Sequence, residues 1–122
     1  MKNLLTILII TYLSLTINSI AQNQNNNKNE KVLRIGVLLP LSGEFKNTGE
    51  SFLKAIQLAL LDIGNENIKI YPKDSKANAL HTYLSAKEFD RLGIKIVIGP
   101  VFNESLERLS EIKNVTFISF TN

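Results

Sequence analysis

The chain has 122 residues, 44% of them hydrophobic and 20% charged, with a formal net charge of +3. That is one ordinary globular domain. It has no cysteine, which excludes disulfides, thiolate metal sites, thiol nucleophiles and a lipid anchor on cysteine. Its lysines and arginines are scattered among acids with no aromatic interleaving, so a nucleic-acid surface is not expected.

The amino terminus reads as a targeting segment. Lys2 gives a short positive start, and residues 4–15 are strongly apolar, broken only by Thr6, Thr11 and Ser14. Ser19 and Ala21 then occupy the −3 and −1 positions of a small-residue cleavage site, so residues 1–21 are expected to be a secretory signal peptide cut near Ala21. The alternative is an anchor that stays attached, but the apolar stretch is shorter than the ~20 residues of a spanning helix. Residues 22–30, Q-N-Q-N-N-N-K-N-E, hold no hydrophobic side chain and are expected to be a disordered polar spacer.

From residue 31 the chain alternates strand and helix signals. Residues 35–39 form a continuous apolar run that predicts a buried strand spanning residues 32–39. Asn47 or Thr48 can cap a helix reaching Ile63, with Phe52, Ile56, Ala59, Leu60 and Ile63 at helical spacing and Gly64-Asn65 as its stop. Residues 68–71 predict a short second strand. Asn78 can cap a second helix carrying Leu80, Tyr83, Leu84, Ala86, Phe89 and Leu92 and ending at Gly93. Residues 94–98 predict a third strand, ended by Gly99-Pro100. Asn103 or Ser105 should open a third helix with Leu106, Leu109 and Ile112 on one side, and residues 115–120 predict a fourth strand.

This alternation implies right-handed βαβ units and an open parallel α/β sheet of strand order 2-1-3-4 with flanking helices. The topological switch then falls between strands 1 and 3. The loops after them, residues 40–48 and 99–104, should face each other at the carboxyl edge of the sheet, where open α/β folds bind ligands. The fourth strand carries Val115, Phe117, Ile118 and Phe120 with nothing after it to cover them, which suggests a truncated product or a partial lobe.

The residues for chemistry are few. His81 is the only histidine and reads as a surface residue, and no two carboxylates have a reason to be buried together. No G-x-S-x-G elbow, dinucleotide fingerprint or phosphate loop occurs, so neither catalysis nor a metal or cofactor is expected. Binding is better supported. Ser42, Gly43 and Phe45 lie just before a helix amino terminus, whose free N–H groups and dipole suit an anion or carboxylate. A plain turn and cap would explain them equally well. Asn103 can cap the third helix or bond a ligand. Ser119 and Thr121 bring hydroxyls to the end of strand 4, which is also ordinary strand-end polarity.

Four segments together resemble the amino-terminal lobe of the type 1 periplasmic binding proteins of leucine-binding type. They are I-G-V-L-L-P-L-S-G-E-F-K-N-T-G from Ile35, Asp74 after strand 2, I-V-I-G-P-V-F from Ile96, and V-T-F-I-S-F-T from Val115. The resemblance covers residues 32–122, as a partial lobe. It implies a non-enzymatic periplasmic receptor that closes two lobes on a ligand such as an amino acid and feeds a membrane transporter. Phe45, Asn103, Ser119 and Thr121 stand at the ligand-holding positions. The position of Asn103 is usually serine in amino-acid binders, and the link from helix 1 to strand 2 is short. Both departures, with G-P-V-F-N-E-S, look more like the penicillin-binding protein activators of the same fold, envelope proteins that stimulate peptidoglycan synthases.

Overall fold

The structure is a computed structural model that describes residues 31–120. The expected signal peptide, the polar spacer and Thr121 lie outside the described residues. Among the described residues, no helix is long and apolar enough to cross a membrane.

Four parallel strands form one sheet in the order β2-β1-β3-β4, with β1 at Leu33–Leu39, β2 at Ile68–Asp74, β3 at Ile96–Ile98 and β4 at Thr116–Ile118. Helix α1 (Lys46–Ile63) joins β1 to β2, and α2 (Ala79–Arg91) joins β2 to β3. The expected order is met. Because β1 is interior, Val37, Leu38 and Leu39 are all fully buried, the continuous apolar pattern of a strand covered on both faces.

Right-handed crossovers fix which helix covers which face. The chain moves one way from β1 to β2 and the other way from β2 to β3 to β4. So α1 covers one face, while α2 and the β3–β4 connection cover the other. On the α2 face Leu38, Ala86, Phe89, Ile94, Val97, Leu109, Ile112 and Val115 form the core, with Tyr83, Leu106 and Phe117 packed against it.

Three predicted elements differ from the structure. The third helix is two short 3-10 turns, Asn103–Ser105 and Glu107–Glu111, although Leu109 and Ile112 do enter the core. The i, i+3 spacing of Leu106, Leu109 and Ile112 suits a three-residue turn as well as an α-helix. Helix α1 begins at Phe45 with no side-chain cap, so neither Asn47 nor Thr48 caps it; the Asn47 carbonyl instead accepts from the Ser51 hydroxyl at 2.8 Å. Strand β2 runs on through Pro72 to Asp74, which is allowed because β2 is an edge strand and that position needs no outward N–H. The second helix starts as expected, with Asn78 Oδ1 accepting from the amides of Leu80 at 2.9 Å and His81 at 3.2 Å.

One glycine sets the entry to α1. A Cβ on Gly49 would collide with the carbonyl oxygen of Pro40, so only glycine lets the first turn of the helix lie against the end of β1.

Candidate functional site

The carboxyl ends of β1, β2 and β3 carry three loops, and one carboxylate gathers two of them. Asp74, the last residue of β2, accepts the Leu41 amide at 2.8 Å and the Lys76 amide at 2.8 Å through Oδ1. Ser42 donates to the same carboxylate from both its hydroxyl and its amide. Burial raises the affinity of Asp74 for a proton, but the bonds from Ser42, Lys76 and Leu41 outweigh it and hold the carboxyl below its ordinary value. Asp74 therefore stays ionised as a clamp between the loops after β1 and β2. The neighbouring Ser75 amide donates to Leu39 O at 2.8 Å, tying the same two strand ends together.

Aromatic packing joins the loops after β1 and β3. The rings of Phe45 and Phe102 lie 4.6 Å apart, centroid to centroid, tilted by 56°. That is favourable stacking geometry. Phe45 keeps 39% of its surface exposed, so the pair sits at the mouth between the loops. The loop after β3 is tied to β4 in turn, because the Gly99 amide donates to Ile118 O at 2.8 Å. A second ring pair, Phe52 of α1 and Phe120 beyond β4, has centroids 4.6 Å apart on the α1 face.

The structure thus brings the loops around positions 42 and 103 together at one rim. It treats the individual candidates differently. Ser42 is half-buried and its hydroxyl is bound to Asp74. Gly43 turns the loop with φ 75°, and a Cβ there would meet nothing within 4 Å. Phe45 faces Phe102. Asn103 is exposed, opens a 3-10 turn and caps nothing; its carbonyl accepts the Leu106 amide at 2.9 Å. Ser119 is half-buried one residue past β4, at the same rim. The roles of Phe102 and of Asp74 as a clamp were not read from the sequence. The sequence marks the residues but not their contacts: Phe102 follows Pro100 in a loop like that of Phe45, and Asp74 closes the second strand signal.

A shallow depression of about 710 Å³ lies at the other end of α1, lined by Gln57, Leu60, Leu61, Gly64, Asn65, Glu66 and Ile70. An 18-residue helix is roughly 27 Å long, so this depression is remote from the rim.

No family model matches the chain, and no curated protein does. Solved structures do. Full-length LpoA from Haemophilus influenzae is 24% identical with a TM-score of 0.63, the match covering 75% of this chain and 17% of that one. The C-domain of the same protein, described as a regulator of PBP1A, gives 24% identity and a TM-score of 0.62 over 73% of this chain and 28% of that one. The leucine-binding protein LivK from Thermotoga maritima gives 21% identity and a TM-score of 0.66 over 72% and 27%. The chain spans about a sixth to a quarter of the length of these proteins. At such identities the likeness is one of fold. The open parallel sheet, its order and its flanking helices are those of a type 1 periplasmic-binding-protein lobe.

Proposed function

From the type 1 periplasmic-binding-protein fold as premise, we propose that the chain is part of an exported, non-enzymatic envelope protein. In this reading its carboxyl rim contacts a peptidoglycan synthase. The observation that carries it is the Phe45–Phe102 pair at the mouth of the crevice. Two stacked rings fill the space between the loops and present an apolar surface, while the Ser42 hydroxyl turns inward to Asp74. A partly exposed aromatic pair with the polar groups withdrawn suits a protein surface better than a small carboxylate. The departure at Asn103 from the serine of amino-acid binders, and the H. influenzae regulator of PBP1A among the neighbours, support the same reading.

A second reading has its own observation. Helix α1 has no side-chain cap and the open Gly43 turn precedes it; the Lys46 amide is bound to the Gly43 carbonyl, and the amides that follow in the first turn are suited to a carboxylate. This favours a solute-binding receptor for an amino acid or similar small anion, feeding a membrane transporter, as LivK among the neighbours suggests. Capture experiments with envelope extract separate the two. Recovery of a peptidoglycan synthase, reduced by Phe102→Ala, supports the first. Saturable heat with one member of an amino-acid panel, and no synthase recovered, replaces it with the second.

A further inference from the structure

Strand β2 is a free edge of the sheet, since among the described residues only β1 pairs with it. The Leu33 amide donates to Asn67 O and the Ser75 amide to Leu39 O, both at 2.8 Å, which turns the main chain of the odd-numbered residues of β2 toward β1. The main chain of Ile68, Ile70, Pro72 and Asp74 therefore faces outward. The Ile68 amide is used in the turn before the strand, where it donates to Asn65 O at 3.2 Å. The amides of Ile70 and Asp74 and the carbonyls of Ile68, Ile70 and Pro72 are left along the edge. Pro72 has no N–H, and it stands where its carbonyl still accepts.

The side chains of this edge are sorted by face. Ile70 lines the depression of about 710 Å³ with Leu60 and Leu61 of α1, while Lys73 reaches Glu88 of α2 at 2.7 Å. Alternation then puts Ile68, Ile70 and Pro72 on the α1 side and Lys69, Tyr71 and Lys73 on the α2 side. Lys69 and Tyr71 are exposed, and neither Lys69 nor Arg34 beside it in β1 joins an ion pair among the described residues. Of the acids along the strand, Glu88 is paired with Lys73, Asp74 is bound to loop amides, and Glu66 lines the depression on the apolar side. The edge thus carries a basic row on one side and an apolar row on the other. Lysine on an edge strand discourages pairing with a second copy. An antiparallel register centred on Tyr71 would set Lys69 of one copy against Lys73 of the other, and one centred on Pro72 would set two prolines together with no donor between them. The same basic row attracts a strand that carries carboxylates.

We propose that the outer edge of β2 takes up an extended segment of a partner protein as an added antiparallel strand, in which carboxylates facing Lys69 and Lys73 alternate with apolar side chains facing Ile70 and Pro72. Edge addition draws its affinity from main-chain hydrogen bonds and its specificity from what alternate side chains meet. Here the segment's amides opposite Ile70 and Pro72 reach the outward carbonyls, and the Ile70 amide returns a bond. Its apolar side chains extend the apolar row toward Leu60 and Leu61, of which Leu61 is 76% exposed. Its carboxylates lie across from Lys69 and Lys73, where opposite charges on neighbouring strands stabilise the pair. An acidic protein segment is favoured over a membrane or a nucleic acid because the two lysines stand at strand spacing among free main-chain groups, which another backbone satisfies in register. The contact stands whichever occupant the rim takes.

The test is fluorescence anisotropy of labelled peptides with the full chain. The probe carries Glu-Val-Tyr-Val-Glu between Ser-Gly arms, so that its glutamates oppose Lys73 and Lys69 and its valines oppose Pro72 and Ile70. Saturable binding is expected, with none by Lys-Val-Tyr-Val-Lys. N-methylation of both valines removes the donors to β2 and should weaken binding at least about tenfold, while N-methylation of the tyrosine, whose amide faces away, should change it little. Lys69→Glu should weaken binding of the glutamate probe about fivefold and strengthen that of a probe whose facing glutamate is replaced by lysine. Lys113→Glu, just before β4 at the other edge of the sheet, should do neither. Leu61→Ser should weaken binding about threefold. Circular dichroism checks that each variant is folded. No saturable binding of the glutamate probe, equal loss from the two methylation patterns, or equal loss in Lys69→Glu and Lys113→Glu overturns the proposal. A dimer of the chain alone that the probe dissociates also overturns it and assigns the edge to a second copy.

Discussion

The two faces of the sheet are built from similar residues and end up unequal. On the α2 face, Leu38, Ala86, Phe89, Val97 and Leu109 are all buried. On the α1 face Val37 and Leu39 are sealed, yet Gly49 is the one buried residue of α1 itself. Ile118 is 52% exposed there and Phe120 46%. The difference is one of coverage. A helix with its side chains is about 10–12 Å across, and strands are about 4.8 Å apart, so one helix covers roughly two strands. The α2 face has a helix and two 3-10 turns over four strands. The α1 face has one helix.

The largest test of this inequality is Phe89→Ala. Phe89 is fully buried between α2 and the sheet, where such a truncation costs about 3–5 kcal/mol. Small domains hold only about 5–15 kcal/mol in all, so the variant should be largely unfolded or melt far below the parent in a urea titration. A loss under about 1 kcal/mol would mean that the α2 face is not the main core.

The next effect belongs to the rim. Asp74→Asn keeps the shape but removes the charge that accepts bonds from Leu41, Ser42 and Lys76, and should cost about 1–2 kcal/mol at neutral pH. The sign with pH follows from the lowered native value. The Asp74 contribution is complete above the ordinary carboxylate range and is lost as pH falls through the depressed value. Denaturation of both proteins from neutral to acid pH should therefore show the gap between them closing on the acid side. A gap that widens there would remove Asp74 as an ionised clamp.

The sheet was legible because its signals are local and strong. The apolar run of residues 35–39, the stops at Gly64 and Gly93 and the cap at Asn78 each come from a few adjacent residues, and the alternation of strand and helix supplies the parallel sheet. The third helix was misread because a spacing of three fits two helix types. The rim was legible only in outline. Position alone placed Ser42 and Asn103 near each other, but the direction of the Ser42 hydroxyl depends on Asp74, 32 residues away along the chain. Ring contact between Phe45 and Phe102 likewise depends on how far each loop reaches, which no local pattern states.

That ring contact gives a smaller and more selective effect. Phe45→Ala, Phe102→Ala and the double variant form a cycle whose coupling should be about 0.5–1.5 kcal/mol in urea titrations. Coupling near zero would mean that the two loops are held by Asp74 and the strand ends alone. The mouth would then be free to open without cost, and the aromatic surface invoked for partner binding would not be a fixed feature.

The smallest expected change in stability lies on the open face, and it is the sharpest contrast with Phe89. Ile118 is an apolar side chain of the sheet that keeps half its surface in water. Ile118→Ser gives up only half of an isoleucine's burial and should cost about 1 kcal/mol or less in a urea titration. The exposed surface is still a contiguous element, since Ile118, Phe120 and the outer side of Phe52 adjoin along one face. Dyes that bind exposed apolar surface should therefore light up with the parent and dim with Ile118→Ser while the fold is unchanged. A destabilisation comparable to that of Phe89→Ala would show that this face is covered in solution, and the inequality between the two faces would disappear.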